Sequence, residues 1–381
     1  MAFGVLVIGG GLNGLASLYH LLRLGVRNLG LAERFRLGHE RGSSHGQARI
    51  TRSTYVSPLY VRLMRVLHAE EWPRLERDAG ERLVHPSPGC FFGPPGEMIR
   101  AYAAAVREAQ ARVDWLSPAE GRRRFPQFRF EDAEGVLLDH TAGVIAAART
   151  LSALERICRR GGVEVMEETP VLGIDPSRHP IEVATSRGAL RAERLIVTAG
   201  AWAGALLPFL GPRLKAARQT VAYFQPDGPA GDYRIGRFPV WVYLADGENN
   251  VFYGMPEFGR EGVKIARHLS RGLDDDPDAA SAEAEPSRVE ELRAFWSRQF
   301  MAPLRGLAGT ERCLYTNTET EDFLIGLHPA DPRIAIGAGF SGHGFKFGPL
   351  TGRLLAELVL HGKTTEPELE RARTAFSLSP G

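Results

Sequence analysis

A glycine-rich turn between a short apolar strand and a helix constrains the fold of this chain more than any other feature. The hydrophobic pattern predicts a strand over residues 3–8, a helix over 12–23 and a second strand over 28–33. Two neighbouring strands that are joined by a helix run parallel. The N-terminus is therefore predicted to form a βαβ unit, the building block of an α/β domain.

Gly9, Gly11 and Gly14 place the pattern G-x-G-x-x-G at the turn of this unit. Because glycine has no side chain, a pyrophosphate can approach the backbone and the partly positive N-terminus of the following helix. Glu33 follows about 20 residues later at the end of the second strand, where an acid can accept a hydrogen bond from a ribose hydroxyl. A plain surface charge is the alternative role for Glu33, but the strand–turn–helix context favours a dinucleotide site.

The length of 381 residues predicts two domains, because an ordinary domain holds roughly 100–200 residues. Hydrophobic residues make up 44% of the chain and charged residues 24%, as in folded globular proteins. The 47 basic and 45 acidic residues give a net charge of +2, too balanced for the one-sided field that nucleic-acid binding requires. We therefore expect no nucleic-acid partner.

The cysteines, Cys90, Cys158 and Cys313, are too few and too far apart for a disulfide framework or a zinc site. They indicate a reducing cytoplasm and no structural metal. The first 22 residues contain no Asp, Glu, Lys or Arg. A signal peptide needs a basic start, however, and a membrane span would not hold four closely spaced glycines. We expect neither a targeting segment nor a membrane association.

The pattern changes along the chain. Residues 84–139 carry clustered proline and glycine, which indicate hairpins, and are predicted to form a separate module. An α/β pattern then returns, with a helix over 144–160 and strands over 163–167, 189–193 and 195–198. Strands over 240–244 and 251–254 predict that the second module resumes after about residue 218.

Arg49 and Arg52 lie in the segment 42–52, which also holds His45. On a helix, residues three apart share a face, so the two guanidinium groups would point the same way. This donor-rich segment suits anion binding, but it equally suits a solvated basic face. The residues alone leave both interpretations open.

Lys346 lies in the glycine-rich segment 339–347, between a strand predicted over 334–336 and a helix over 349–361. A helix N-terminus beside exposed backbone donors is a second candidate site for an anion or a polar ring. The chain has only four lysines, and this one stands between two phenylalanines. We therefore favour a functional role for this segment.

Lys264 lies in a strand predicted over 262–268, on the same face as Ala266 and His268. An edge lysine that discourages aggregation is the better interpretation from the residues alone. From the residues alone, Cys313 could likewise be a small buried hydrophobe, the commoner fate of a free cysteine.

Taken together, these residues resemble the monomeric sarcosine oxidase family, which includes N-methyltryptophan and pipecolate oxidases, within the D-amino-acid-oxidase-like FAD oxidoreductases. The resemblance covers nearly the whole chain. The motifs that carry it are Gly9-x-Gly11-x-x-Gly14, Ser44-His45-Gly46-x-x-Arg49-x-x-Arg52, Lys264, Cys313-Leu314-Tyr315-Thr316 and Ser341-Gly342-His343-Gly344-Phe345-Lys346. The ordered combination is specific, although each motif alone is weak.

The resemblance implies an α/β plus α+β fold, in which a Rossmann-like FAD-binding domain is interleaved with a substrate domain built on a mainly antiparallel sheet. The module changes agree with this arrangement. They place the discontinuous FAD-binding domain at residues 1–83, 140–218 and 312–381, and the substrate domain at residues 84–139 and 219–311.

The resemblance also implies the roles of individual residues. Arg52 and Lys346 match the pair that clamps the substrate carboxylate, and Lys264 matches the lysine that promotes oxygen reduction. Cys313 matches the cysteine that carries the flavin as a thioether. Two other sets match as well: His45 and Arg49 lie beside the flavin ring, and Tyr253, His268 and Tyr315 line the substrate pocket.

FAD is the implied cofactor, and its expected contacts come from several separate segments. They are Gly9, Gly10, Gly11, Gly14, Glu33, Arg34, Ser43, Ser44, His45, Arg49, Val171, Gly200, Cys313, Gly342, His343, Gly344 and Lys346. No metal is expected.

The expected activity is oxidation of the C–N bond of an N-methyl or cyclic secondary amino acid to an imine, with oxygen reduced to hydrogen peroxide. Two cations in a pocket of low dielectric would hold the carboxylate and orient the amine, while the flavin accepts the hydride equivalent. The open alternatives are a flavin dehydrogenase with a different electron acceptor, or a relative that acts on pipecolate, proline or fructosyl amino acids. The family resemblance also favours a cytoplasmic monomer.

Overall fold

The structure is a computed structural model that describes residues 2–271, 273–279 and 284–378. Within these residues the strands are β1 Phe3–Ile8, β2 Leu29–Ala32, β3 Ala48–Thr51, β4 Val84–Pro86, β5 Gly89–Gly93, β6 Val113–Leu116, β7 Gly135–Asp139, β8 Gly143–Ala146, β9 Glu164–Met166, β10 Val171–Asp175, β11 Ile181–Thr185, β12 Gly188–Val197, β13 Lys215–Pro226, β14 Val240–Leu244, β15 Val251–Met255, β16 Val263–His268, β17 Leu304–Asn317, β18 Leu324–His328 and β19 Asp331–Ala338.

The α-helices are α1 Leu12–Arg23, α2 Pro58–Val66, α3 Trp72–Ala79, α4 Glu97–Glu108, α5 Pro118–Arg124, α6 Ala147–Arg160, α7 Ala203–Leu206, α8 Pro286–Gln299, α9 Gly348–His361 and α10 Pro367–Ala375. A π-helical segment, Leu67–Glu71, joins α2 to α3. Short 3₁₀ turns lie at Gly200–Trp202, Pro208–Arg213, Ala230–Tyr233 and Gly344–Phe347.

The first sheet has a parallel centre. Strand β1 pairs in parallel with β2 and β12, β2 with β9, and β12 with β19. Helix α9 packs closely on α1, since a Cβ added at Gly352 would lie 2.6 Å from the Cβ of Ala16. Small residues let the two helix backbones approach each other. Both helices pack against strands of the first sheet.

The second sheet has the order β17-β13-β16-β15-β14-β5-β7-β6 and is antiparallel except between β14 and β5. Helix α8 packs on it through stacked aromatic rings. Phe295 stacks on Phe252 with ring centroids 4.0 Å apart, and Trp296 is fully buried in the same core. A third, small sheet, β3-β8-β4, lies at the junction. This architecture confirms the predicted fold class.

Four sequence expectations need correction. Residues 144–146 form strand β8 and not the start of a helix, because Val144 and Ile145 are fully buried between β3 and β4. The segments 189–193 and 195–198 are parts of one strand, β12, whose first half pairs with β11 and second half with β1 and β19. Arg49 lies on a strand, β3, so helical spacing does not relate it to Arg52.

The fourth correction concerns two of the expected domain boundaries, at residues 218 and 311. They fall inside β13 and β17, which stay paired from Lys215 opposite Asn317 to Pro226 opposite Leu304. A continuous hydrogen-bond ladder cannot be divided between two sheets, so both strands belong to the antiparallel sheet. The division into domains otherwise remains a prediction. Among the described residues, no helix has the length and apolar character needed to span a bilayer.

Candidate active site

One large cavity, with a volume of about 1160 Å³, runs from the dinucleotide turn to the face of the antiparallel sheet. Every candidate residue named from the sequence lines it, except Gly14. The fold therefore gathers segments that lie as far apart in the chain as Gly9 and Lys346. Gly14 has a different place, beneath the turn, where an added Cβ would lie 1.9 Å from the carbonyl oxygen of Gly9.

The dinucleotide turn is built from bare backbone. Gly9 has φ +100°, a conformation that side chains disfavour, and an added Cβ would lie 2.4 Å from the Thr198 carbonyl oxygen. Helix α1 begins directly after Gly11 without a side-chain cap, and its first turn carries no acid. The amide of Leu12 donates a hydrogen bond to Ser44 Oγ at 3.2 Å. The N-terminus of α1 is therefore open to an anion.

Glu33 is buried directly beside this turn. Its Oε2 accepts a hydrogen bond from the Gly10 amide at 2.6 Å, and its Oε1 accepts one from the Phe35 amide at 2.8 Å. Each carboxylate oxygen keeps a second lone pair, which can accept a hydrogen bond from a ribose hydroxyl. Arg34, next in sequence, pairs with Asp278 at 2.9 Å and lies over the Trp202 ring. Val171 and Gly200 line the same end of the cavity.

A bound FAD fits these features. The glycine turn leaves no room for side chains, the cavity is long enough to join two glycine-rich turns, and Glu33 faces the place of a ribose. The second turn, which includes Gly342 and Gly344, presents backbone at the far end. Gly342 has φ +72°, and a Cβ there would lie 2.1 Å from the Tyr315 ring. The residues that would hold the cofactor are therefore in place.

The segment 42–49 is held by hydrogen bonds to backbone carbonyls. Ser43 Oγ donates to Leu314 O, and Arg49 donates to Ser43 O and His45 O. Both ring nitrogens of His45 lie against carbonyl oxygens, at 3.0 Å from Gly42 and 2.7 Å from Arg312. Burial, with the Arg49 charge next, lowers the pKa of His45, so the ring is neutral at neutral pH.

Arg52 and Lys346 form what we call the clamp cluster. Each donates to a backbone carbonyl and not to a carboxylate: Arg52 to Thr54, and Lys346 to His343 at 2.9 Å. The Arg52 guanidinium lies 3.9 Å from the centre of the Tyr55 ring, and Lys346 Nζ lies 5.6 Å from it. Burial and the nearby Arg52 hold the pKa of Lys346 well below its usual range. A carboxylate bound here would offset both the cost of burial and the repulsion from Arg52, and so would raise the pKa of Lys346.

Lys264 belongs to a second group, the sheet cluster, with Glu311, Arg260 and Tyr223. Glu311 accepts hydrogen bonds from Tyr223 Oη and from Arg260, both at 2.7 Å. Lys264 is 4% exposed on the central strand β16 and donates to the Ala48 carbonyl at 3.2 Å, so it is not an edge lysine. Burial, followed by the Arg49 charge, lowers the pKa of Lys264 to about 7, while Glu311 opposes this shift.

Aromatic and imidazole rings form the wall between the two clusters. Tyr253 and Tyr315 share a hydrogen bond of 3.0 Å between their hydroxyls, and His268 packs on Tyr315 with ring centroids 5.5 Å apart. Burial raises the pKa of Tyr253 to about 12, so its hydroxyl stays neutral. His343 is also neutral, since burial, together with Lys346, lowers its pKa to about 3. The wall is thus largely uncharged.

Cys313 differs from the other two cysteines. Cys90 and Cys158 are fully buried, whereas Cys313 is partly exposed and lines the cavity, with its Sγ 3.9 Å from the Ser43 carbonyl oxygen. Partial exposure excludes the alternative that Cys313 is a buried hydrophobe. The Cys313 thiol is accessible from the cavity.

Sequence reasoning missed two carboxylates, Glu311 and Glu321. Glu311, Cys313 and Tyr315 alternate along β17 and all line the cavity, so a period-two pattern around the recognised cysteine could have revealed Glu311. Glu321 lies in the loop after β17 and contacts His268 at 3.3 Å. No periodic signal marks a residue in such a loop.

Comparison with known proteins adds independent information. The model of the FAD dependent oxidoreductase family matches residues 4–358. Monomeric sarcosine oxidase from Streptomyces avermitilis is 34% identical over 376 residues, covering 96% of this chain and 95% of the relative. Peroxisomal sarcosine oxidase from Mus musculus is 35% identical over 366 residues, covering 93% and 91%.

The structure can also be superimposed on solved structures. NikD, described as an unusual amino acid oxidase essential for nikkomycin biosynthesis, gives a TM-score of 0.83 in its open form at 24% identity, covering 99% of this chain and 97% of that one. At this identity the likeness supports the fold alone.

Proposed function

The chain belongs to the FAD-dependent oxidoreductase family and is related to the sarcosine oxidases, and from this premise we propose that it oxidises the C–N bond of N-methyl or cyclic secondary amino acids. In this proposal oxygen is the electron acceptor, and the products are an imine and hydrogen peroxide. The clamp cluster is the observation that carries the proposal. Among the described residues neither of its two cations forms an ion pair with a carboxylate, and Arg52 bonds only to the Thr54 carbonyl and the Tyr102 hydroxyl, so an anion of carboxylate size completes the cluster.

The clamp cluster would bind the amino acid carboxylate through charge-assisted hydrogen bonds. These are strongest in a site of low dielectric, and the buried rings of Tyr55 and Tyr315 line this one. A carboxylate fixed at one end leaves the amine few orientations in the remaining space. Orientation of the reacting C–N bond is therefore the main contribution of these residues.

FAD, when bound, supplies the acceptor for the hydride equivalent. Lys264 lies on the sheet side of the cavity, and a cation there would stabilise the negative charge that develops as oxygen is reduced. With a pKa of about 7, Lys264 is partly protonated at neutral pH and can supply this charge. This role is the reason to prefer an oxidase over a dehydrogenase.

We also propose that FAD is attached covalently through Cys313, whose thiol is accessible from the cavity. Acid precipitation of the purified protein should then leave the yellow colour in the pellet. Cys313→Ser should release the colour to the supernatant, and Cys158→Ser, a change at a buried thiol, should not. Colour in the wild-type supernatant would refute the linkage.

The direct test of the function is hydrogen peroxide release in air from the purified yellow protein. The panel consists of sarcosine, other N-methyl amino acids, proline, pipecolate and a fructosyl amino acid. Peroxide with a secondary amino acid supports the oxidase proposal and ranks the substrates. Flavin bleaching without oxygen but no peroxide in air would indicate a dehydrogenase instead, and no bleaching at all would exclude this substrate class. A cytoplasmic monomer remains part of the proposal.

A further inference from the structure

Glu321 links the two histidines that line the substrate end of the cavity. Its carboxylate Oε2 lies 3.3 Å from His268 Nε2, and its backbone carbonyl lies 3.0 Å from His343 Nε2. Glu321 has φ +63°, a left-handed conformation that is costly for a residue with a side chain. Such strain persists only where the surrounding structure requires it, and it is concentrated at functional sites.

The charge partner of Glu321 differs from those of three other carboxylates that line the cavity. Glu248 pairs with Arg271, Asp278 with Arg34 and Glu311 with Arg260, whereas Glu321 faces a histidine, as Glu33 does at the dinucleotide end. An arginine stays charged at any accessible pH, so those pairs cannot take up a proton. A histidine can change its charge. The Glu321–His268 pair therefore places a ring that can accept a proton beside a carboxylate that can balance the resulting charge.

The hydrogen bonds also select a tautomer. A hydrogen bond from His268, together with the charge that this ring carries when it is protonated, keeps the pKa of Glu321 at about 2 despite burial, so the carboxylate is ionised. An ionised carboxylate only accepts hydrogen bonds, and His268 must then donate from Nε2–H. In a neutral ring this leaves Nδ1 as the nitrogen with a lone pair. The same logic gives His343 an Nε2–H that donates to the Glu321 carbonyl.

We propose that Glu321 is a positioning residue which, through His268, removes the ammonium proton of the bound secondary amine. This proposal rests on the proposed function. A secondary amino acid enters as an ammonium, and oxidation of its C–N bond needs the nitrogen lone pair. The proton moves from the substrate nitrogen to Nδ1 of His268, and the Glu321 carboxylate balances the imidazolium charge that results.

Other titratable and charged groups surround this pair. Tyr315 packs on His268 from β17, and Ser270 and Arg271 follow it on the chain. His343 and Lys346 lie on the turn beyond Glu321, with Arg52 behind them. Tyr315 and His343 are neutral, Arg52 does not titrate, and Lys346 binds the substrate carboxylate in the proposed function and not its amine, so we assign the proton to the Glu321–His268 pair.

The first measurement is the ¹⁵N spectrum of histidine-labelled holoenzyme at a pH where the ring is neutral, with the His268 signal assigned through His268→Asn. We expect a single Nε2–H tautomer in the wild type and its loss in Glu321→Leu. Glu319→Leu, a change at an exposed carboxylate in the same loop, should leave the signal unchanged. An Nδ1–H tautomer in the wild type, or an unchanged tautomer in Glu321→Leu, would overturn the proposal without reference to activity.

The second measurement is anaerobic flavin reduction by the best amine of the panel as a function of pH. Glu321→Gln keeps the shape of the side chain but removes its charge, so the rising limb of the profile should move toward alkaline pH. Reduction near neutral pH should be about tenfold slower, the equivalent of one pK unit, and should recover at high pH. Glu321→Asp should restore most of the wild-type profile, and Glu319→Gln should not alter it.

A third measurement excludes a merely structural effect. Butanoate has the carboxylate but no amine, so its perturbation of the flavin spectrum reports the clamp cluster alone. Its dissociation constant should be the same in Glu321→Gln and wild type, and a marked weakening would overturn the positioning role. A wild-type profile retained in Glu321→Gln refutes the Glu321 proposal only. A wild-type protein reduced by none of the amines refutes the proposed function first.

Discussion

The clamp cluster and the sheet cluster each contain a buried lysine and a partly exposed arginine but differ in their balance of charge. In the sheet cluster, Glu311 accepts from Arg260 at 2.7 Å and raises the pKa of Lys264. In the clamp cluster, no carboxylate of the described residues pairs directly with Arg52 or Lys346, and Arg52 lowers the pKa of Lys346. A buried charge without a counter-charge is costly. The clamp cluster therefore needs an external anion to balance its charge, whereas Glu311 already supplies a counter-charge within the sheet cluster.

The largest expected effect comes from Arg52→Gln, which removes half of the unbalanced cluster. Truncating one partner of a buried, hydrogen-bonded charge pair costs about 2–5 kcal/mol, so kcat/KM for the secondary amino acid should fall about a thousandfold. Stopped-flow flavin reduction measures it. Arg260→Gln, the matched change in the sheet cluster, should reduce the same constant little. Equal losses of kcat/KM in the two variants would contradict the assignment of carboxylate binding to the clamp cluster.

A smaller effect is expected from Lys264→Met, which removes the lysine of the balanced cluster. Reoxidation of the reduced protein by oxygen should slow by about a hundredfold, because the stabilising charge beside the reaction is lost. Flavin reduction and butanoate binding should stay near wild type, since Lys264 is not part of the clamp cluster. Anaerobic reduction followed by mixing with oxygen separates the two half-reactions. Unchanged reoxidation would contradict the role of Lys264.

The smallest expected effect is a shift in the pH dependence of reoxidation. The direction of this shift should differ between substitutions of Glu311 and of Arg260. Lys264 has a pKa of about 7, so reoxidation should fall as pH rises through that value and the ammonium is lost. Glu311 raises this pKa and Arg260 lowers it. Glu311→Gln should therefore move the fall to lower pH, and Arg260→Gln should move it to higher pH, each by up to about one unit.

Reoxidation rates across the pH range test these two shifts, with thermal unfolding as a check that both variants fold. Arg260 is 30% exposed, so it can still be solvated when Glu311 is replaced. Shifts in the same direction for both variants would mean that charge in the sheet cluster does not control Lys264.

The strand–turn–helix at the N-terminus was readable from the sequence because its determinants are contiguous. The predicted strand 3–8 and helix 12–23 coincide with β1 and α1, and Gly9 and Gly14 have the close backbone contacts that exclude a side chain. The strand β8 was misread as helix, since a short, fully buried apolar run has no clear period. Only the pairing of this segment with β3 and β4 shows that it is a strand and not a helix.

For the site, the sequence indicated which residues take part but not their charge state. Spacing and family resemblance were enough to nominate Arg52, Lys264, Cys313 and Lys346, and all four line one cavity. Their electrostatic condition was not visible, because the charge of a buried lysine depends on which carboxylates lie near it. Lys264 lies on a central strand near Glu311 and is not an edge lysine, and this was evident only after β13, β16 and β17 were paired.

Local sequence was therefore sufficient for the dinucleotide turn, since the turn depends on periodicity and on glycines within a few residues of one another. The fold class followed from the resemblance carried by motifs spread along the chain, with which the changes of pattern agreed. The tertiary structure decided which cations are balanced and which are not. Glu311 is 47 residues from Lys264 in the chain, and Glu321 is 53 residues from His268. Such pairs form only when strands and loops from distant segments meet, and electrostatic energy depends on that distance in space and not on separation along the chain.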